Sequence, residues 1–185
     1  MRILVAGATG VLGRATLPHL KGHDVLGLTR AREKLPLLQA LGAEGVVCDV
    51  YDSRELIRLA RKRRPDIVVN FITDLSAGSS EANNRARREG GRNLVSAAEA
   101  AGSRRLILES VAFSLERPAA EALAQMEQTA LESPIEVLIL RFGRLWGSST
   151  WYQEPPEPPA IHIDDAGRRA ATLITSGPPG THVIA

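Results

Sequence analysis

Short apolar runs alternate with amphipathic segments along most of the chain. The runs predict strands, and the segments between them carry apolar residues at helical spacing. Predicted strands cover 3–6, 25–28, 45–48, 67–72, 105–108 and 135–140, and predicted helices cover 12–20, 32–41, 53–63, 81–101 and 119–132. Because strands that are apolar along their whole length are buried on both faces, this order predicts an α/β fold. We expect a doubly wound parallel sheet with helices on both faces.

The alternation breaks between 148 and 160, where the chain reads SSTWYQEPPEPPA. Its prolines predict an extended connector or a mobile loop rather than a helix or strand. Beyond it the pattern predicts a short strand at 161–163, a helix from 164 to 174 and a last strand at 181–184. We therefore expect a single domain over 1–185 that ends in a short strand, helix and strand.

Composition narrows the class of protein. The chain is 44% hydrophobic and 24% charged, with a net charge of +2, which is typical of a globular protein and gives no general attraction to nucleic acid. Glutamates interrupt the arginines of 81–101, so a solvated helix face is expected there rather than a nucleic-acid surface. No apolar run is long enough to predict a membrane span. The single cysteine, Cys48, fits a reducing compartment, and we expect a cytoplasmic protein.

Three glycines carry the clearest chemical signal. Gly7, Gly10 and Gly13 directly follow the first predicted strand and precede the first predicted helix. Glycines let the backbone approach a ligand closely, and the N–H groups that begin a helix favour an anion. This context predicts a turn that binds the pyrophosphate of a dinucleotide. The alternative is a purely structural turn.

Several further segments carry a resemblance to a known family. Residues 7–13 have the form GxxGxxG, and Asp49 and the segments 89–95, 109–113, 140–147 and 161–166 also match in order. The chain resembles short-chain dehydrogenases/reductases of the extended or atypical group, the NAD(P)-dependent epimerase/dehydratase family. The resemblance implies a Rossmann fold, an NADP or NAD cofactor and a small-molecule carbonyl or sugar-like substrate. It also implies a homodimer through the helices at 81–101 and 119–132.

Two departures from the family concern catalysis. Relatives carry Tyr-x-x-x-Lys in the helix after the fifth strand, but residues 119–127 read AAEALAQME. Relatives also have a longer segment before the His-x-Asp-Asp stretch, which leaves this chain a minimal substrate lobe. The resemblance makes Ser110 the candidate catalytic residue, although a serine that simply ends a strand is the alternative. His162, Asp164 and Asp165 lack further ligands nearby in sequence, so capping is expected there and no metal site.

The resemblance assigns the remaining cofactor contacts. Residues of the glycine turn and of the ends of the third and fourth strands are expected to bind the dinucleotide: Gly7, Thr9, Gly10, Val11, Leu12, Gly13, Asp49, Val50, Asn70, Phe71 and Ile72. NAD-preferring proteins place an acidic residue after the second strand, whereas this chain has Arg30 and Arg32. Both arginines can pair with a 2′-phosphate, which favours NADP. Alternatively, they are solvated, and Asp49 is a turn residue.

Three functions remain open at this stage. The chain is expected to be an NADP-preferring oxidoreductase of this family with an unknown substrate. It is alternatively an inactive dinucleotide-binding regulatory protein, a redox sensor that acts through a protein partner. A structural remnant that no longer binds cofactor is disfavoured by the intact glycine turn.

Overall fold

A computed structural model describes residues 1–74 and 80–185 of the chain. The strands are β1 (Arg2–Ala6), β2 (Asp24–Thr29), β3 (Glu44–Val47), β4 (Ile67–Asn70), β5 (Arg105–Val111), β6 (Glu136–Phe142), β7 (Arg144–Trp146), β8 (Ala160–His162) and β9 (Gly180–Ile184). The helices are α1 (Val11–Thr16), α2 (Leu35–Ala40), α3 (Ser53–Arg63), α4 (Ser80–Arg85), α5 (Gly91–Ala101), α6 (Ala119–Leu131) and α7 (Ile163–Ser176).

The main sheet has seven strands in the order β3-β2-β1-β4-β5-β6-β9. Every neighbouring pair in it is parallel. The chain leaves β1 toward β2 and β3, and then crosses to β4 on the other side of β1. The doubly wound parallel sheet predicted from the alternating pattern is confirmed, and its direction of winding reverses between β1 and β4.

Helices cover both faces of the sheet. On one face α1, α2 and α7 bury a core that includes Leu12, Leu38 and Ile174. On the other face α3, α5 and α6 bury a core that includes Leu56, Leu94 and Ala130. Because apolar side chains leave both sheet faces, the inner strands are apolar at nearly every position. This packing fixes the carboxyl ends of the strands, where the site lies.

Local structure differs from the sequence prediction at several boundaries. The first helix ends at Thr16 and continues as a 3-10 turn over Leu17–His19, because Pro18 cannot donate a backbone hydrogen bond. The helix predicted over 81–101 is interrupted by a π-helical turn at Ala86–Gly90. The prediction did not include β7, which pairs with β8 in a separate two-stranded sheet.

The connector at 148–160 contacts β7. Tyr152 forms a β-bridge with Trp146, and the backbone N–H of Gly147 donates to the Tyr152 carbonyl at 2.8 Å. Apart from this contact, turns and bends make up most of the connector. Within 1–74 and 80–185, no helix is both long and apolar enough to cross a membrane.

Candidate functional site

The glycine turn lies where the winding of the sheet reverses. Gly7 has φ of 81°, and a Cβ atom there would come within 2.2 Å of the Phe71 carbonyl oxygen. A Cβ atom on Gly13 would come within 2.3 Å of the Gly7 carbonyl oxygen. These two glycines are therefore required by the fold itself. Gly10 differs, because a Cβ atom there would meet only the Gly7 oxygen, at 3.1 Å, among the described residues.

A cavity of about 350 Å³ lies beside this turn and is called the smaller cavity below. Its wall includes many of the residues expected to bind a dinucleotide, namely Gly7, Thr9, Gly10, Val11, Arg30, Val50, Phe71 and Ile72. Gly10 begins α1 without a side-chain cap, so the first N–H groups of the helix have no side-chain acceptor. The structure thus brings the predicted cofactor residues of four separate chain segments to one groove.

The two arginines expected at the 2′-phosphate occupy different positions. Arg30 lines the smaller cavity and lies 3.9 Å from the Asp74 carboxylate. Arg32 is exposed at the start of a 3-10 turn and does not line that cavity. Lys34, which the sequence interpretation did not select, does line it. The positive charge available to a phosphate therefore comes from Arg30 and Lys34.

Asp49 and Asn70 organise backbone rather than line the smaller cavity. The Tyr51 N–H donates to Asp49 Oδ1 at 3.0 Å, which is the turn role left open from the sequence. Asn70 is buried, and its Oδ1 accepts from the N–H of Ile72 at 3.1 Å. Leu12 lines a second cavity, which is described next, while Gly13 lies beneath the glycine turn.

A second cavity, of about 460 Å³, continues from the first and is called the larger cavity. The two share Gly10, Val11, Phe71 and Thr73 in their walls. The larger cavity has mostly apolar walls that include Leu12, Val111, Phe113, Leu115, Phe142, Leu145, Trp151 and Tyr152. Trp151 is 86% exposed, so the connector forms the mouth of this cavity.

Ser110 lies in the wall of the larger cavity but is already engaged. Its Oγ donates to Glu127 Oε1 at 2.5 Å. Glu127, in α6, also accepts from Arg141 Nη2 at 2.7 Å. The segment that carries Tyr-x-x-x-Lys in relatives therefore supplies a carboxylate that fixes this serine.

Glu109 and Arg87 are two ionisable groups in the wall of the larger cavity that sequence reasoning missed, and Arg144 is a third. Burial raises the pKa of the Glu109 carboxyl from 4.5 to about 7, and the nearby Arg87 guanidinium opposes this only in part. Burial also lowers the pKa of Arg87, whose Nη1 donates to the Ala119 carbonyl at 3.3 Å. A carboxyl group with this pKa can hold a proton at neutral pH inside the cavity.

Other candidate chemical groups have structural roles. Burial raises the pKa of the Cys48 thiol to about 11, so it stays protonated in the wall of the smaller cavity. His162 caps α7, where its Nδ1 accepts from the Asp164 N–H at 3.3 Å, as expected from the sequence. Across the described residues 1–74 and 80–185, no group of His, Cys, Asp and Glu side chains could hold a metal ion.

Fold and site together define a dinucleotide-binding protein of the doubly wound α/β class. Residues 3–134 match the model of the NAD dependent epimerase/dehydratase family. The chain is also 31% identical to 3-diazoavenalumate denitrifying reductase from a Streptomyces species, over 95% of this chain and 73% of that protein. The chain belongs to the NAD dependent epimerase/dehydratase family, which confirms the resemblance and the expected NAD or NADP cofactor.

Solved structures show the same fold. A putative NAD-dependent epimerase/dehydratase from Bacillus halodurans superposes with a TM-score of 0.82 at 22% identity, over 98% of this chain and 91% of that one. The Bordetella bronchiseptica enzyme WbmG, crystallised in complex with NAD, superposes with a TM-score of 0.78 at 19% identity. That match covers 100% of this chain and 72% of WbmG.

Proposed function

We propose that the protein is an NADPH-dependent reductase of a small electrophilic molecule with a largely apolar body. The observation that carries this proposal is the junction of the two cavities at Gly10, Val11, Phe71 and Thr73. A dinucleotide that lies along the smaller cavity can place its reactive end at the opening of the larger one. Such a cofactor supplies a hydride, and the larger cavity has the volume of a small-molecule site.

The residues of the larger cavity support reduction. Hydride transfer to a carbonyl group, or to an alkene conjugated with one, needs a proton for the atom that gains electron density. Glu109 can supply this proton at neutral pH because its pKa is raised to about 7. The Streptomyces relative is itself named as a reductase. The proposal therefore assigns proton donation to Glu109, while the Ser110 hydroxyl fixes the Glu127 carboxylate beside it.

NADPH preference is part of the proposal. Arg30 and Lys34 line the smaller cavity, and the described part of its wall has no carboxylate other than Asp74. Asp74 lies beside Arg30, where a 2′-phosphate can replace it as the partner of the guanidinium.

The test is titration of the protein with NADPH and NADH, followed by cofactor oxidation in the presence of aldehydes, ketones, unsaturated carbonyl compounds and aryl diazonium salts. We expect tighter binding of NADPH and its oxidation with at least one of these classes. With a carbonyl substrate, kcat/KM should fall as the pH rises through about 7, because Glu109 loses its proton. Absence of binding at millimolar concentration would overturn the proposal. Binding without oxidation would favour the redox-sensor alternative.

Two further expectations, the oligomeric state and the location in the cell, stay proposals. A homodimer through residues 81–101 and 119–132 is proposed from family resemblance, and Leu131 is the exposed large apolar side chain that the described structure places on those helices. Sedimentation velocity tests it. A cytoplasmic location is proposed from the single cysteine, and fractionation of the source cells tests it.

A further inference from the structure

A buried cation and a buried amide lie in the wall of the larger cavity. Arg87 is 8% exposed, and Asn84 is fully buried. Neither Nδ2 nor Oδ1 of Asn84 has a hydrogen-bond partner within the described residues. Leaving a buried polar atom unpaired is unfavourable, so a fully buried amide with both atoms unpaired is expected to bind a ligand or an ordered water.

Arg87 also lacks a close ion pair with any described residue. Among residues 1–74 and 80–185, no carboxylate lies within 4.0 Å of its guanidinium, although shorter ion pairs hold Arg58, Arg85 and Arg141. Its one hydrogen bond to a described residue goes to the Ala119 carbonyl. The guanidinium therefore keeps donors for a ligand. A π-helical turn, Ala86–Gly90, carries Arg87 inward, whereas Arg85 one position before that turn is exposed.

From these observations we propose that Arg87 and Asn84 form a subsite for the carboxylate of the substrate. The inference rests on the proposed function, because the subsite belongs to the same cavity. A carboxylate is planar and accepts two parallel hydrogen bonds from a guanidinium, and the amide nitrogen of Asn84 can donate a third. The rest of the molecule would lie among Phe71, Phe113 and Phe142. The substrate class is a small carboxylic acid with an apolar, aromatic body.

The protonation state of Glu109 sets the net charge of the cavity and therefore favours a ligand with a single negative charge. Its carboxyl group shares the cavity with Arg87 and is coupled to it electrostatically. When Glu109 is protonated, the wall of the cavity carries the positive charges of Arg87, which is buried, and of Arg144, which lies over the Phe113 ring. A carboxylate neutralises the charge of Arg87. A dianionic phosphate would add a second negative charge beside a carboxyl group in a poorly solvated site. When Glu109 ionises, it repels any anionic ligand.

Binding to the cofactor-free protein tests the subsite without any assay of activity. The probes are 3-phenylpropanoate and the neutral 3-phenylpropan-1-ol, followed by the fluorescence of Trp151, with Trp151→Phe used to assign the signal. At about pH 6 we expect the acid to bind at least about tenfold more tightly than the alcohol, as one charge-assisted hydrogen bond would give. The affinity for the acid should fall as the pH rises through about 7, whereas that for the alcohol should stay constant.

Variants distinguish the contributions of the individual residues to acid binding. Arg87→Gln should abolish the preference for the acid, and Glu109→Gln should keep the preference and remove its pH dependence. The matched control is Arg144→Gln, since Arg144 lines the same cavity but covers the Phe113 ring at 4.6 Å. Asn84→Leu should weaken acid binding several-fold while the protein becomes no less stable, because the orphaned amide is gone.

Equal affinity for acid and alcohol in the unaltered protein would overturn the subsite, even if Arg87→Gln fails to fold. A preference that survives in Arg87→Gln, or that is lost only in Arg144→Gln, would overturn it as well. Oxidation of NADPH by neutral electrophiles with no preference for acids would leave the reductase proposal standing while this inference fails. Acid binding without NADPH binding would leave the carboxylate subsite standing while the reductase proposal fails.

Discussion

Ser110 Oγ donates a hydrogen bond of 2.5 Å to Glu127 Oε1, so the hydroxyl proton of the family's expected catalytic serine is already committed. Arg141 holds the same carboxylate in place through a 2.7 Å contact. A hydroxyl that donates to an ionised carboxylate is a poor donor to a substrate unless that bond breaks. In this chain Ser110 therefore positions the wall between β5 and α6.

The first prediction concerns the replacement Ser110→Ala. We expect the free energy of unfolding to fall by about 1–2 kcal/mol, because a buried hydrogen bond to a charged acceptor is lost. Turnover with any substrate found should fall by less than about tenfold, whereas loss of a principal proton donor costs 10²-fold or more. Urea denaturation and steady-state kinetics measure the two effects.

Ser103→Ala is the matched control for that change. Ser103 is also buried, and its Oγ donates to the Pro65 carbonyl at 2.7 Å, near the amino ends of β4 and β5. It should lose about 1 kcal/mol of stability and no activity. A hundredfold loss of turnover in Ser110→Ala alone would show that the serine acts directly on the substrate.

The second prediction uses the pH dependence of stability. The pKa of Glu109 is about 7 in the folded chain and near 4.5 when unfolded, so the folded chain binds more protons between these values. The contribution of Glu109 to stability must therefore decrease as the pH rises from about 4.5 to about 7, and then level off. At 1.36 kcal/mol per pH unit the full loss is about 3 kcal/mol. Glu109→Gln should remove this loss, so the difference in unfolding free energy between the two proteins grows over that range. Parallel curves would show that Glu109 keeps an ordinary pKa.

The third prediction distinguishes glycines required by the fold from glycines required by the ligand. Gly13→Ala should cost about 3 kcal/mol or more, because the new methyl group would meet the Gly7 carbonyl oxygen at 2.3 Å. Gly10→Ala should cost at most about 1 kcal/mol, since both cavities lie next to this position. Its methyl group would occupy the path of the pyrophosphate, so NADPH affinity should fall at least about tenfold. Calorimetric titration beside thermal denaturation separates the two effects. Unchanged NADPH affinity in folded Gly10→Ala would mean that the dinucleotide does not pass over this turn.

Most of the fold could be predicted because each inner strand is apolar on both faces and each helix on one. The hydrophobic pattern does not predict an element that has too few residues to show a period. β7 spans Arg144–Trp146 between Gly143 and Gly147, and this is too short for an alternation to be recognised. The end of the first helix was also wrong, since the apolar spacing continues through Pro18 while the hydrogen bonding does not.

In the candidate site, too, some residues could be predicted from the sequence and others could not. The glycine turn is visible in the sequence because the close approach of Gly7 and Gly13 to the backbone excludes every other residue. Arg87 gives no such signal, because it stands among the solvated arginines of the predicted helix. The π-helical turn changes the spacing there and brings Arg87 inside. A carboxylate within the apolar strand β5, directly before Ser110, was the available signal for Glu109.

The last prediction concerns Arg30 and Arg32, which the sequence alone does not distinguish. Arg30→Ala should weaken NADPH binding about tenfold and leave NADH binding within about twofold, because the proposal pairs this guanidinium with the 2′-phosphate, which NADH lacks. Arg32→Ala is the control, since Arg32 is equally charged and exposed but lies outside the smaller cavity. Its affinity for both cofactors should stay within about twofold of the unaltered protein at moderate salt. Equal losses for NADPH and NADH in Arg30→Ala would assign this residue to the shared pyrophosphate or to the turn itself. A selective loss in Arg32→Ala instead would place the 2′-phosphate beyond the cavity wall, on the exposed 3-10 turn.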